Sequence, residues 1–297
     1  MTPTPDAPSP SGVFSPTLPH FVGVLGGGRM GAGIAHSFLS NGARVVVVER
    51  DEEAAAAAHD RVAASVAASF DRGTLAGDPA EVFGRFETGT DHALFASCDL
   101  VVEAVPEDAQ LKAAALGSVA AHLSPQAYLA SNTSSLSVSL LAETLPQPER
   151  FLGLHFFNPV AASTLIEVVV GGQTSEETVA AARGWVSGLG KTAVVVQDAP
   201  GFASSRLGVA IALEAMRMVE EGVASAEDID NAMVLGYKHP VGPLRTTDLV
   251  GLDVRLGIAE HLQSTLGERF APPQVLRDKV AAGELGRKTG RGFYDWN

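Results

Sequence analysis

The stretch FVGVLGGGRMG, residues 21–31, decides the fold. It begins with five residues suited to a buried strand, passes through three glycines and continues into a segment with helical periodicity. Gly26 suits a tight turn, Gly28 lets a pyrophosphate approach the backbone, and Gly31 lets helix and strand pack closely. The pattern therefore predicts a phosphate-binding turn, and the alternative is a tight strand-to-helix turn without a ligand.

An acidic residue at the end of the next predicted strand makes this prediction more specific. Glu49 lies 23 residues after Gly26, where a carboxylate accepts the ribose hydroxyls of an adenosine and repels a 2′-phosphate. The glycine turn, which includes Arg29 and Met30, and the acid together predict a site for NAD. Arg50 keeps NADP open as a minor alternative, because a guanidinium pairs with phosphate.

Short β-branched runs alternate with helical segments over residues 21–199, as is typical of βαβ units. The predicted strands are Phe21–Leu25, Arg44–Glu49, Leu100–Ala104, Ala127–Ser131, Phe151–His155, Leu165–Val170 and Thr192–Gln197. The predicted helices lie near Gly31–Asn41, Glu52–Phe70, Ala109–His122, Val138–Leu145 and Glu176–Leu189. This alternation predicts an α/β fold with a doubly wound, Rossmann-type parallel sheet that forms an NAD-binding domain.

Residues 200–297 follow a different pattern, which predicts a second domain. Pro200 and Gly201 interrupt regular structure after the last predicted strand. Apolar residues then recur at helical spacing, and further helices are predicted near Ala226–Leu235, Leu252–Leu266 and Pro273–Ala282, with no convincing strand. We therefore expect an all-helical C-terminal domain.

Composition excludes several classes of protein. Residues 1–20 hold six of the 17 prolines and no Lys or Arg, so we expect a disordered tail rather than a signal or transit peptide. The formal net charge of −13 argues against nucleic-acid binding and against attraction to anionic membranes. Cys98 is the single cysteine, which predicts a cytoplasmic protein without disulfides. No metal site and no membrane span are expected.

A histidine and a glutamate stand on two consecutive predicted strands. His155 begins the run HFFNP, and Glu167 follows it by 12 residues. A carboxylate on one ring nitrogen sets the tautomer and stabilises the cation that forms when the other nitrogen takes a proton. The pair is therefore a candidate base for an alcohol proton. On these residues alone, a buried structural histidine and a strand-end charge remain the alternative.

A polar cluster, SNTSS at residues 131–135, follows the predicted strand that ends at Ser131. Ligands of open α/β sheets bind at the carboxyl ends of the strands, so these hydroxyl and amide groups could hold a substrate oxygen or the nicotinamide carboxamide. An ordinary helix N-cap explains the same residues equally well.

Seven motifs occur in a characteristic order between about Val22 and Trp296: GGGRMGAG, VVEAVPED, SNTSSLS, HFFNPV, LIEVV, PGF and GRKTGRGFYDW. In them the chain resembles the short-chain L-3-hydroxyacyl-CoA dehydrogenases, including the 3-hydroxybutyryl-CoA dehydrogenases. SNTSS and HFFNP, with the glutamate that follows, carry the resemblance more specifically than the glycine turn. The resemblance implies NAD-dependent oxidation of an acyl-CoA substrate and a homodimer joined through the C-terminal helical domain.

The resemblance also implies roles for individual residues of the reaction site. His155 would be the general base, and Glu167 its orienting partner. Ser134 would hydrogen-bond the reacting oxygen of the substrate and lie beside the cofactor. Asn158 would help to hold the nicotinamide end and the catalytic pocket.

Four further residues match family positions that contact ligands away from the reacting atoms. By this resemblance Glu107 and Lys112 would contact the cofactor, and Ser65 and Arg72 the CoA portion of the substrate. Arg72 would offset the acidic field that the nucleotide phosphates meet. An exposed arginine at a helix end is the alternative for that residue.

One position departs from the family pattern. The family has an asparagine that reaches the substrate near the reacting carbonyl, and this chain has Ser205 there, which puts substrate preference in doubt. We predict an NAD-dependent 3-hydroxyacyl-CoA dehydrogenase acting on short chains. The alternatives are a related dehydrogenase of a hydroxy acid without CoA, such as a sugar acid or carnitine, and a non-catalytic NAD-binding dimer.

Overall fold

The computed structural model describes residues 17–296, which divide into two compact units. The first comprises residues up to Thr133 together with Val138–Val195, and the second comprises Ser134–Ser137 and the chain from Val196 onward. Most of the predicted tail lies outside the described residues. Leu18 is partly buried against the core of the first unit, so the fold begins by that residue rather than at residue 21. None of the helices in the described range is both long and apolar enough to cross a membrane.

Eight strands and eleven α-helices make up the described chain. The strands are β1 Phe21–Leu25, β2 Arg44–Val48, β3 Phe86–Gly89, β4 Leu100–Glu103, β5 Tyr128–Ser131, β6 Phe151–Phe156, β7 Leu165–Val170 and β8 Thr192–Gln197. The helices are α1 Arg29–Ser40, α2 Glu52–Asp71, α3 Pro79–Phe83, α4 Ala109–Ala120, α5 Val138–Ala142, α6 Glu176–Gly188, α7 Ser204–Glu220, α8 Ala226–Asn231, α9 Pro243–Val250, α10 Leu252–Leu266 and α11 Gln274–Ala281.

All eight strands form one sheet in the order β3-β2-β1-β4-β5-β6-β7-β8. Neighbouring strands from β3 to β6 are parallel, whereas β6 and β7 are antiparallel. The predicted Rossmann-type sheet is confirmed, but the prediction of a parallel sheet is wrong for this pair. The eight residues between β6 and β7 are too few for a crossover connection, which takes a dozen or more.

Three elements were missing from the sequence prediction. Strand β3 has four half-buried residues at the edge of the sheet, and its sequence FETG lacks a clear strand pattern. Helix α3 is only five residues long. Helix α9 contains two threonines, residues that favour strands, yet Pro243 at its start and buried Leu244 stabilise it as a helix.

Valine-rich strands and apolar helix faces form the core of the first unit. Val45 and Val47 of β2 are fully buried, as are Ile34 and Phe38 of α1, and all four belong to one apolar cluster. Burial of such side chains contributes roughly 1.5–3 kcal/mol each relative to exposure, so this face holds α1 against the sheet. The N-terminal end of α1 is thereby fixed beside the ends of β1 and β2.

The second unit is helical and has its own core, in which α7 is central. Leu213 and Met216 of α7 are buried in a cluster that includes Leu262 of α10 and Leu276 of α11. The expectation of a helical C-terminal region is confirmed. Near the end of the described chain, Arg291 forms isolated bridges to Gly286 and Asp295, which do not extend into a strand.

A buried carboxylate holds this C-terminal segment against α9. Asp248 is 1% exposed; its Oδ1 accepts the backbone N–H of Phe293, and its Oδ2 accepts the N–H of Tyr294 and the indole N–H of Trp296, at 2.8–2.9 Å. A Cβ at Gly292 would overlap the same carboxylate, so only glycine fits there. The terminal aromatic residues are therefore anchored by one acid.

We expect Asp248→Ala to lower the free energy of unfolding by about 3–5 kcal/mol, since three donors lose one buried acceptor. Urea denaturation followed by circular dichroism measures the change. Asp295→Ala is the matched control, because the Asp295 side chain is 86% exposed. Equal shifts of the urea midpoint in both variants would show that Asp248 does not anchor the segment.

Candidate active site

The glycine turn between β1 and α1 has the geometry that its sequence predicts. Gly26 has a φ of +91°, which disfavours any residue with a side chain. A Cβ at Gly31 would overlap the carbonyl oxygen of Gly26, so glycine is required for the helix to approach the turn. A Cβ at Gly28, in contrast, would meet no atom within 4 Å. Packing therefore leaves open space beside the backbone at Gly28.

The N-terminus of α1 differs from those of four later helices in the first unit. Asp51, Asp78, Asp108 and Ser175 cap α2, α3, α4 and α6 with side-chain oxygens. Gly28 precedes α1 without any side-chain cap, and the first turn of α1 has no acid. Uncapped N–H groups and the helix dipole favour an anion at this position.

Glu49 lies directly against the glycine turn. Its Oε1 accepts the backbone N–H of Gly27 at 2.7 Å, and its Oε2 accepts the N–H of Arg50 at 3.2 Å. Arg61 on α2 donates to the Gly27 carbonyl at 3.2 Å, a contact that the sequence did not indicate. The Arg50 guanidinium pairs with Asp51 at 3.0 Å. The structure thus brings the predicted ribose-binding acid and the predicted phosphate-binding turn together.

His155 and Glu167 face each other across β6 and β7. They are directly paired in the antiparallel register, and the His155 Nδ1 lies 2.8 Å from the Glu167 Oε2. The residues are 7% and 0% exposed. Because an ionised carboxylate can only accept, this contact requires the proton on Nδ1, and in the neutral ring the lone pair then lies on Nε2. This arrangement can accept a proton and stabilise the resulting cation.

The segment that joins these two strands carries Asn158 and is held from both ends. Lys191 donates to the carbonyl oxygens of Val160 and Ser163 at 2.8 and 2.5 Å. Burial lowers the pKa of the Lys191 ammonium. At the end of β6, the side-chain oxygen of Asn132 accepts the N–H of Phe156 at 2.9 Å. Neither Lys191 nor Asn132 was assigned a role from the sequence.

A closed ring of four hydrogen bonds and one ion pair underlies the carboxyl ends of β4 and β5. Glu103 accepts from Lys112 through Oε1 at 2.7 Å and from the Ser131 hydroxyl through Oε2 at 2.6 Å. The Ser131 hydroxyl accepts the N–H of Thr133 at 3.2 Å, and the Thr133 hydroxyl donates to Glu107 at 2.6 Å. Lys112 lies 3.3 Å from the second oxygen of Glu107 and completes the ring.

This ring connects the motif VVEAVPED with the motif SNTSS and holds both in place. Glu103 and Lys112 are 0% and 1% exposed, so the ammonium is neutralised inside the protein and orients Glu107 at the surface. The prediction that Lys112 contacts the cofactor remains a prediction. Glu103 was missed, although an acid that ends a buried strand beside the glycine turn could have indicated it.

Ser65 and Arg72 lie on one face of α2 and its C-terminal end. The Ser65 hydroxyl donates to the Arg61 carbonyl at 2.9 Å, and Arg72 donates to Ser69 at 3.3 Å. Ser69 contacts the buried ring of His36 at 2.9 Å. Burial, with Arg72 and Lys191 nearby, lowers the pKa of His36.

The remaining predicted site residues belong to the second unit. Ser134 directly follows Thr133 of the hydrogen-bonded ring, and Ser205 lies in the first turn of α7. Their predicted contacts with the substrate and the cofactor remain predictions.

Comparison with known sequences assigns both parts of the chain. The sequence model of the 3-hydroxyacyl-CoA dehydrogenase NAD-binding domain matches residues 21–199, and that of the C-terminal domain matches residues 201–296. The chain belongs to the 3-hydroxyacyl-CoA dehydrogenase family. The predicted family and the predicted cofactor, NAD, are thereby confirmed.

Several 3-hydroxyacyl-CoA dehydrogenases resemble this chain over nearly its whole length. A probable 3-hydroxybutyryl-CoA dehydrogenase of Deinococcus radiodurans is 42% identical over 275 residues, 92% of this chain and 99% of that protein. A 3-hydroxybutyryl-CoA dehydrogenase of Mycobacterium tuberculosis is 40% identical, with 93% and 98% covered. The crystal structure of (S)-3-hydroxybutyryl-CoA dehydrogenase from Ralstonia eutropha superposes with a TM-score of 0.89 at 37% identity, covering 94% and 99%.

The first unit has groups suited to bind NAD, the cofactor of the 3-hydroxyacyl-CoA dehydrogenase family. Gly28 leaves the backbone open, α1 offers uncapped N–H groups for the pyrophosphate, and Glu49 offers a carboxylate for the ribose. β6, which carries His155, is parallel to β5 within the same sheet, and its carboxyl end faces the same edge as the glycine turn. The site therefore fits the cofactor of the family.

Proposed function

We propose that the protein interconverts an L-3-hydroxyacyl-CoA and a 3-oxoacyl-CoA, with short acyl chains such as 3-hydroxybutyryl-CoA as substrates. The observation that carries the proposal is the 2.8 Å contact between the His155 Nδ1 and Glu167, at the sheet edge that also holds the glycine turn. The names of the related proteins support the substrate class.

His155 moves the proton in this reaction. Its Nε2 takes the 3-hydroxyl proton during oxidation and returns it to the forming alkoxide during reduction. Bound NAD supplies the acceptor for the hydride that leaves C3. Glu167 holds the ring in the basic tautomer and balances the positive charge on the protonated ring.

Other predicted residues bind and orient the ligands. Ser134 donates to the reacting oxygen, and Asn158 holds the nicotinamide end. The ring of hydrogen bonds supports this, because it fixes the Glu107 carboxylate in the loop after β4 and fixes Thr133 immediately before Ser134. Ser65 and Arg72 bind the CoA portion, and the pair's position on one face of α2 supports that role.

The working form is a cytoplasmic homodimer joined through the C-terminal helical domain. Large apolar side chains of the second unit support a subunit interface, since Leu207, Leu235 and Tyr237 are 63%, 69% and 76% exposed. Burial of these side chains between two subunits would remove apolar surface from water and stabilise a dimer. We also propose that the boundary between the NAD-binding domain and the C-terminal helical domain lies near residue 200.

The test is the reduction of acetoacetyl-CoA by the purified full chain, followed by the absorbance of NADH at 340 nm. We expect turnover with NADH that clearly exceeds turnover with NADPH, because Glu49 repels a 2′-phosphate. Oxidation of carnitine and of free 3-hydroxy acids by NAD, measured in parallel, tests the alternative that Ser205 keeps open. Faster turnover of any of these compounds than of the acyl-CoA would reject the proposed substrate class.

A further inference from the structure

One buried cation of the second unit has no partner within the described chain. Arg255 on α10 is 8% exposed, and its guanidinium makes no hydrogen bond or ion pair with any residue of 17–296. The Nε atom is fully buried without an acceptor. Burial lowers the pKa of this guanidinium, and no acid counteracts that shift. A desolvated charge without an anion is unfavourable, so an anionic partner is missing from the isolated chain.

Local structure makes the charge still less favourable. Arg255 lies in the first turns of α10, at the positive end of the helix dipole, where a cation is disfavoured. Asp253 is the nearest acid along the chain, and both of its carboxylate oxygens are bound by Lys288 at 2.6 and 2.7 Å. Within residues 17–296, the fold therefore provides no counter-ion for Arg255.

A glycine on α7 makes room for the guanidinium. A Cβ at Gly208 would lie 3.4 Å from Nη1 and 3.9 Å from Nη2 of Arg255, so the two polar ends face a helix position without a side chain. Gly208 is three residues after Ser205, and such positions are neighbours on one helix face, about 4.5 Å apart along the axis. The cation thus stands one turn from the residue expected to reach the substrate.

We propose that Arg255 binds a carboxylate at the far end of the acyl chain, with Gly208 forming the floor of this subsite. Among acyl groups longer than the four-carbon 3-hydroxybutyryl group, the protein then prefers those that end in a carboxylate over those that end in a methyl group. This inference rests on the proposed function, which places C3 of the substrate near Ser205. Ile211, which is 38% exposed and three residues after Gly208 on α7, offers an apolar contact for the methylene groups of such a chain.

A matched pair of substrates tests the subsite. 3-Hydroxyhexanoyl-CoA and 3-hydroxyadipyl-CoA have six-carbon acyl groups that differ in the terminal methyl or carboxylate. We expect the wild type to have the higher kcat/KM for the carboxylate. In Arg255→Met the ratio of the two kcat/KM values should fall by about 30-fold or more, as for loss of one partner of a buried charge pair.

Two further variants make the result specific. Arg255→Lys keeps the charge and should retain part of the preference, which also covers the case in which the Met variant fails to fold. Arg277→Met is the control, because Arg277 forms a surface pair with Glu260, and this variant should leave the ratio unchanged. An unchanged ratio in Arg255→Met overturns the proposal.

Binding and assembly measurements separate the remaining outcomes. Calorimetry measures the affinities for adipyl-CoA and hexanoyl-CoA, which lack the 3-hydroxyl group and do not react. These affinities test the subsite even if neither hydroxyacyl-CoA is oxidised and the proposed function fails. A preference for adipyl-CoA that Arg255→Met removes supports the subsite in that case, and equal binding overturns it. Analytical ultracentrifugation shows whether Arg255→Met dissociates an oligomer. If it does, and the ratio of the two kcat/KM values is unchanged, Arg255 belongs to a subunit interface and the proposal is overturned.

Discussion

Replacing His155 by glutamine is expected to lower turnover of acetoacetyl-CoA by a factor of about 10²–10⁴, the usual contribution of a positioned general base. Glutamine cannot accept and release a proton near neutral pH, yet its amide can still donate to Glu167. This matters because Glu167 is 0% exposed, and a buried carboxylate without a donor would destabilise the fold. The variant therefore removes the proton transfer while keeping the hydrogen bond.

The cofactor site provides the internal check on this variant. The glycine turn and Glu49 are built from β1, α1 and β2, so the affinity for NADH, measured by fluorescence titration, should change by less than about twofold. His122→Gln is the control, since His122 is exposed and bonded to the Ser118 carbonyl on α4. Turnover near that of the wild type in His155→Gln would remove His155 from the reaction.

The sequence predicts most of the first unit because local patterns there agree with the tertiary structure. The run RVVVV is a strand by propensity and also fills the sheet interior, so β2 was predicted to within one residue. β3 was missed because an edge strand with half-buried residues needs no distinctive pattern. The orientation of β7 was wrong because strand propensity is the same for parallel and antiparallel pairs.

Site residues that lie near each other in the sequence were predictable. Those that only the tertiary structure brings together were not. His155 and Glu167 share a hairpin, so their spacing alone brings them close. Glu103 meets Ser131 across neighbouring strands 28 residues apart, and Lys191 reaches the Asn158 segment from beyond α6. Arg255 has an ordinary helical context, and only its burial without a partner distinguishes it. The roles of such residues follow from tertiary contacts, which the periodicity of the sequence does not indicate.

Glu167→Gln is expected to lower turnover by about 10²-fold or more while leaving the KM for NADH nearly unchanged. The amide of glutamine can donate to Nδ1, which shifts the ring proton to Nε2 and leaves the nitrogen that faces the substrate without a lone pair for the hydroxyl proton. The charge that stabilises the protonated ring is lost at the same time. Glu214→Gln, at an exposed position of α7, is the control.

The double variant His155→Gln/Glu167→Gln decides whether the glutamate acts through the histidine. Residues that work as one unit have strongly non-additive effects, so the double variant should be within about threefold of His155→Gln alone. Independent roles would instead multiply the two losses. Because His155 and Glu167 are paired in register and buried, a multiplied loss would mean that Glu167 stabilises the fold around the cofactor and does not tune the base. Urea midpoints of all three variants, measured alongside the kinetics, distinguish that case directly.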